Sequence, residues 1–417
     1  PAYRFEPATR LSPMPEVCIH WFRQDLRLTD NPALEEAARL GEVLPVYVLD
    51  DINAGVHRMG GASRWWLHRS LERLNESLDG RLHVVAGDAL DCLPALAQAT
   101  GARAVTWNRC YEPWRVERDA ALKEKLRASG VDARSCNGSL LWEPWDVSKA
   151  DGTPYRVFTP YFRRGCLNAI PPRQPGRAAA PELCRKLPRT EVGQLGLLPR
   201  VPWHKSLEAH WQPGEAAARE RLSSFIAERL ARYRAGRDFP AEASVSRLSP
   251  HLHFGEISPN DAWYASLAWD AAPSLRGSDE ADSTDHFRSE LGWREFSHSL
   301  LYHFPQLPET NLQAKFDAFP WHADSALLTA WQQGQTGVPM VDAGMRELWQ
   351  TGYMHNRVRM IVASFLVKNL GINWRCGARW FWDTLVDADL ANNSASWQWV
   401  AGCGADAAPF FRIFNPV

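Results

Sequence analysis

Short apolar runs alternate with amphipathic stretches from Val17 to about Leu141. VCIHWF, VLPVYVL, LHVV, AVTW and VDARSC read as strands. Between them SRWWLHRSLERLNESL, DALDCLPALAQA and RVERDAALKEKLRASG carry apolar residues at helical spacing. Near-continuous apolar strands alternating with helices predict a parallel, doubly wound, Rossmann-like sheet. No GxGxxG follows the first strand; WFRQDLRLTDN stands there instead, which argues against a dinucleotide in this half. From Leu141 to Pro202 the chain turns rich in Pro, Gly, Arg and Ala, the mark of a long connector. Its PYRVFTPYFRR start interleaves aromatics with arginines, either as a loop packed on both halves or as part of a binding surface.

Beyond Trp203 strand signals vanish. GEAAARERLSSFIAERLARYRAG, FRSELGWREFSHSLLYHF, SALLTAWQQG, VDAGMRELWQTG and NRVRMIVASFLVKNLG all have helical periodicity, with Gly352 and Gly371 as stops and Ser258-Pro259 as a start. The fold class is therefore α/β plus all-α. The expected division is 15–141 for the α/β domain, 142–202 for the linker and 203–417 for the helical domain. The stretch Asp389–Pro409, DLANNSASWQWVAGCGADAAP, reads as irregular: small polar residues, two tryptophans, then a glycine-rich turn.

Composition changes the picture in one respect. The chain has 20 Trp against 9 Tyr and 6 Met; core packing explains most of these indoles but need not explain all of them. Hydrophobic and charged fractions of 45% and 23% are those of an ordinary globular protein. With a formal charge of −1, nucleic-acid binding would need a local basic surface. The 8 cysteines are scattered without a CxxC, which argues against zinc and for reduced thiols in the cytoplasm. No apolar run reaches membrane-spanning length, the first residues lack a secretion-signal core, and Met14 is an alternative start.

RDFPAEASVSRLSPHLHFGEISP, ELGWREF, TGVPMVDAGMRELWQTGYMHNRVRMIVASFLVKNL, DLANNSASWQWVAGCGADAAPFFRIFNP and, near the start, WFRQDLRLTDNPAL together resemble the photolyase/cryptochrome family, in order and over nearly the whole chain. Within it the chain is most similar to bacterial cyclobutane pyrimidine dimer photolyases. The resemblance implies an antenna domain, a helical domain holding U-shaped FAD, and light-driven repair of cyclobutane dimers in UV-damaged DNA. A blue-light photoreceptor of the cryptochrome type is the alternative.

The resemblance also assigns residues. Tyr233, Ser246, Arg247, Leu248 and Ser249 would meet the FAD phosphates. Val245 stands where relatives often have Thr. Arg359 and Asp387 would pair at the isoalloxazine edge with Asp389 nearby, and Asn393 would face flavin N5. An amide offers both donor and acceptor there; plant cryptochromes typically have Asp and animal ones Cys. Trp397, Trp374 and Trp321 would pass electrons. Trp293 and Trp399 would contact the flipped-out dimer, Glu290 would hydrogen-bond the thymine carbonyls, and Met360 would complete an apolar pocket. Arg237, Asn356 and Arg357 would hold phosphates, with Arg163 and Arg164 as further candidates. On the residues alone, Glu290 reads equally as a surface carboxylate near Arg294, and the HxH of HLHFGE as structural.

No metal is expected: a cluster-bearing relative needs four cysteines in the helical half, which has Cys376 and Cys403. Tyr111 and Glu112 lie where an antenna pigment could dock. 5,10-Methenyltetrahydrofolate is the expected pigment, with deazaflavin, a second flavin or an empty site as alternatives. A monomer without membrane association is expected.

Overall fold

The computed structural model describes residues 16–271, 278–407 and 411–416. Met14 and Pro409 lie outside the described residues. Five strands, β1 (Val17–Phe22), β2 (Glu42–Leu49), β3 (His83–Ala86), β4 (Ala102–Asn108) and β5 (Asp132–Cys136), form one sheet in the order β3-β2-β1-β4-β5. Every pairing is parallel. Successive side chains of β1 point to opposite faces. Cys18 and Phe22 join one core with Trp65 and Trp66, while Val17, Ile19 and Trp21 join another with Leu93 and Leu122. Burial on both faces is why the strand reads as a near-continuous apolar run, broken only by His20.

Helices α1 (Pro32–Leu40), α2 (Gly61–Ser77), α3 (Ala89–Thr100) and α4 (Pro113–Ala128) cover the sheet. The hydrophobic pattern did not single out α1. Its nine residues are fixed by Asn31, whose side chain accepts from Leu34 N at 3.1 Å. The strand order reverses between β1 and β4, which opens a crevice at their carboxyl ends.

Between 142 and 202 the chain has only short helical turns and two isolated bridges to the sheet domain, Thr29 to Ala178 and Val43 to Leu183. After Lys205 helices dominate. They include α5 (Glu215–Glu228), α6 (Ser249–His253), α7 (Pro259–Ala271), α8 (Ser278–His303), α9 (Pro339–Thr351), α10 (Asn356–Ser364), α11 (Trp374–Thr384) and α12 (Leu390–Ala401). The apparently irregular Asp389–Pro409 is thus largely helix. Asp389 caps it by accepting from Asn392 N at 2.8 Å, and Gly402 ends it in the left-handed region. Small polar residues misled the pattern because this helix shows Asn393 to a cavity and Trp397 to a core.

The two halves meet where the turn after α6 docks on the turn after β1. Leu26 N donates to Phe254 O at 3.1 Å, and Arg27 reaches Gly255 O at 2.9 Å. Gly255 is required here: its φ is +64°, and an added Cβ would lie 2.0 Å from Gln24 O. The dismissed HxH divides its work. His251 is fully buried against Glu256, 2.5 Å away, as a structural pair. His253 instead lines a cavity.

Candidate functional site

A cavity of about 470 Å³ opens among α6, α8, α10 and α12. Of the expected electron-passing tryptophans, Trp397 lines it and Trp374 and Trp321 do not. Of the residues expected to meet FAD or the dimer and its phosphates, all line it except the further candidates Arg163 and Arg164. Capped helix starts aim most of them. His355 caps α10 through Arg357 N, so Asn356, Arg357, Arg359 and Met360 project from its first turns. Asp389 does the same for α12 and Asn393. Burial by itself would raise the Asp389 carboxyl. His298 and His253, at 3.6 and 3.5 Å, together with the Asn392 N–H, hold it well below the usual range.

One wall is polar. Arg359 donates to Asp387 Oδ2 at 2.8 Å, the expected pair, and Ser249 Oγ donates to the same oxygen at 2.6 Å. Asp387 Oδ1 is buried without a partner. Asn393 donates its Nδ2 to Ala378 O at 3.0 Å. Arg247 is the second orphan. Its Nε is buried and unpartnered, and its guanidinium lies 4.3 Å from the Trp211 ring and 4.8 Å from that of Tyr353. Its backbone sits at φ +53°, a left-handed strain of about 1–3 kcal/mol in a residue with a side chain. Among the described residues it alone of the cavity's five arginines has no carboxylate partner.

The other wall is aromatic. Trp293 stacks on Phe158 with centroids 3.8 Å apart and planes 10° from parallel, and Trp399 stacks on Phe414 at 5.9 Å. Phe158 was missed; its signal was the aromatic–arginine stretch of the connector. Glu290 pairs with Arg237 at 2.6 Å, not with Arg294, which goes to the buried Glu295 at 2.9 Å. Arg237 and Arg357, expected as phosphate contacts, are both paired with carboxylates, the second with Asp238 at 2.6 Å. Outside the cavity, Arg163 is paired with Asp285.

Trp397 is 2% exposed and enters a core with Phe381 and Trp331, centroids 5.0 and 6.3 Å away. Gly377 makes room for it: a Cβ there would lie 2.1 Å from the indole. Trp374, buried, donates to Asn311 Oδ1 at 3.0 Å, and Trp321 packs partly exposed on the same core. The three indoles therefore share one core, with Trp397 lining the cavity, Trp374 buried and Trp321 partly exposed.

At the crevice the arrangement is different. The cavity there is about 50 Å³, lined by Trp21, Arg23, Glu112, Trp114, Arg115 and Arg118 among others. Tyr111 is buried, donating to Glu143 at 2.7 Å. Glu112 lines this crevice, while Tyr111 does not. Among the described residues no cluster of three or more His, Cys, Asp or Glu could hold a metal, all eight cysteines are free, and no helix is long and apolar enough to cross a membrane.

A parallel sheet with a closed crevice, joined to helices around a large half-polar cavity, defines a two-domain protein built to enclose an extended ligand. Comparison gives the family. Residues 18–181 match the DNA photolyase family and 287–417 match the FAD binding domain of DNA photolyase. The chain is 49% identical to the deoxyribodipyrimidine photo-lyase of Agrobacterium fabrum, over 96% of this chain and 83% of that protein. Cryptochrome-2 of Arabidopsis thaliana is 38% identical over 97% of this chain and 68% of its own length. The crystal structure of a bacterial class III photolyase from Agrobacterium tumefaciens superposes with a TM-score of 0.90 at 47% identity, covering 99% of this chain and 84% of that one. The chain belongs to the photolyase/cryptochrome family, and its helical half carries that family's FAD-binding domain.

Proposed function

We propose that this protein is a deoxyribodipyrimidine photo-lyase, repairing cyclobutane pyrimidine dimers in UV-damaged DNA with light. One observation carries the reading. A single cavity sets a polar wall of Asp387, Arg359 and Asn393 against an aromatic wall of Trp293 and Trp399, with Glu290 and Met360 between. FAD fits the donor set, because the orphaned Arg247 Nε and Asp387 Oδ1 are a cation and an acceptor left for a ligand. When bound and reduced, FAD would supply the electron that light drives into the dimer and that returns once the ring has opened.

The chain's own residues do the rest. Arg247, with Ser246, Leu248 and Ser249 at the start of α6 and Tyr233 nearby, binds diphosphate. Arg359, Asp387, Asp389 and Asn393 orient the isoalloxazine. Trp293, Trp399 and Met360 exclude water around two stacked pyrimidines, which a damaged duplex yields for a few kcal/mol. Glu290 meets the edge that carries their carbonyls and ring N–H groups. Arg237, Asn356 and Arg357 meet the flanking phosphates, reading position rather than sequence. Trp397, Trp374 and Trp321 return electrons from the surface. On this reading 15–141 is the antenna-type domain, 142–202 the linker and 203–417 the catalytic domain, in a cytoplasmic monomer. Methenyltetrahydrofolate remains the antenna to test, by extraction from the purified protein. The crevice lined by Glu112, Trp114 and Arg115 is where it would be sought.

Illuminating the reduced protein with a thymine-dimer oligonucleotide tests the reading, against dark and six-four-lesion controls. Recovery of thymine absorbance on the cyclobutane dimer alone is expected. No recovery, with flavin bound and photoreducible, would instead favour a cryptochrome-type photoreceptor.

A further inference from the structure

Arg237 and Glu290 face each other 2.6 Å apart at the mouth of the cavity. The arginine side chain is 11% exposed and the carboxylate 32%. Neighbouring Asp238 holds Arg357 at the same distance, but that pair is more open, with side chains 57% and 35% exposed. Both rim arginines are therefore neutralised by carboxylates while no DNA is bound. The pairs differ in what the carboxylate does. Asp238 faces solvent, so any phosphate can compete for Arg357. Exposed pairs of this kind hold by about 0–1 kcal/mol. Glu290 lines the cavity, so its partner changes only when something enters.

The geometry points to Glu290 as a lock on Arg237. A pyrimidine dimer entering the cavity donates its ring N–H groups to the Glu290 carboxylate, which draws it off Arg237 and frees that arginine for a flanking phosphate, so the phosphate grip tightens only on damaged DNA. Undamaged duplex puts nothing in the cavity and leaves Arg237 occupied. The inference rests on the repair reading and adds a specificity role to it. Arg357 is the built-in contrast, since it meets phosphate whatever the base beneath. A net charge of −1 makes such local control effective, because no global field supplies the attraction.

The test is the salt dependence of binding to a dimer-containing duplex and to its undamaged twin, using the flavin-loaded protein in the dark. Each phosphate neutralised contributes about 0.9 to the slope of log K against log salt. The dimer slope of the wild type should exceed the undamaged slope by about one. Glu290→Gln should raise undamaged affinity roughly three- to tenfold at low salt and bring the slopes together. Asp238→Asn should raise both affinities alike and keep the difference. Equal slopes in the wild type would overturn the lock, and that measurement needs no variant. So would a folded, flavin-bound Glu290→Gln protein whose undamaged binding is unchanged. A wild type with no preference for dimer DNA would instead overturn the repair reading itself.

Discussion

The two cavities use the same materials to opposite ends. At the crevice, Arg23 pairs with Asp119 at 2.5 Å, Arg118 with Asp119 at 2.8 Å and Asp50 at 3.2 Å, and Arg115 with Glu112 at 3.4 Å. The Trp21 and Trp114 rings lie within 4.9 Å of their guanidinium carbons. Every charge there has its opposite, and about 50 Å³ is left. The crevice does leave Glu112 Oε2 and the Nε atoms of Arg23 and Arg115 without hydrogen bonds, but each belongs to an ion-paired group. The helical cavity differs in its volume of about 470 Å³ and in Arg247, which no carboxylate among the described residues pairs with. Charge count alone therefore does not mark a binding site. Charge without a partner does.

Removing one arginine from each cavity should separate the two kinds most sharply. Arg118→Ala strips a buried cation from Asp50 and Asp119. A broken buried pair costs about 3–5 kcal/mol, because the remaining charge is uncompensated. Chemical denaturation should show that loss, while flavin affinity per folded molecule stays unchanged. Arg247→Ala should do the reverse. No carboxylate among the described residues pairs with it, so truncation to Ala, which keeps the left-handed backbone and its strain, removes only the cation–π contacts. Melting of the flavin-free protein should barely move. Flavin affinity should fall by about 10–100-fold, the value of a charged hydrogen bond of about 1.5–3 kcal/mol. If the two variants exchanged phenotypes, the distinction between closed and open charge would fail.

How much of this the sequence disclosed follows from what each feature depends on. The sheet was legible because burial on both faces makes its central strands near-continuous apolar runs, as in VCIHWF and EVLPVYVL. The cavity lining was legible through long motifs that resemble a known family, not through periodicity. What stayed hidden depends on partners far apart in the chain. The Arg237–Glu290 pair spans 53 residues, and sequence proximity suggested Arg294 for Glu290 instead. Phe158 lies beneath Trp293 although one belongs to the connector and the other to α8. Helix α12 was concealed because its faces serve different neighbours, which scrambles any single apolar stripe.

Buried carboxylates extend the same contrast to its smallest effect. Burial would raise Asp119, but Arg23 and Arg118 outweigh it and hold the carboxyl low. Glu295 has one guanidinium, from Arg294, and two backbone donors, Leu141 N at 2.8 Å and Trp142 N at 3.3 Å. There burial wins, and the carboxyl is pushed up to about 7. A folded-state value above the unfolded one favours the protonated form. Stability is then greatest at low pH and declines as pH rises from about 4.3, the unfolded value, through about 7. Asp119 acts in the opposite sense, its stabilisation present above the unfolded value near 3.9 and lost only as pH falls below it. Between pH 5 and 8, Glu295 should therefore pull the melting temperature down while Asp119 contributes a constant. Glu295→Gln keeps the shape and an acceptor for Leu141 N but cannot ionise. It should flatten that decline by a few degrees in thermal melts across the pH series, with the effect largest at the alkaline end. An unchanged pH profile in this variant would mean that the single Arg294 guanidinium balances the buried charge as fully as two arginines do at Asp119.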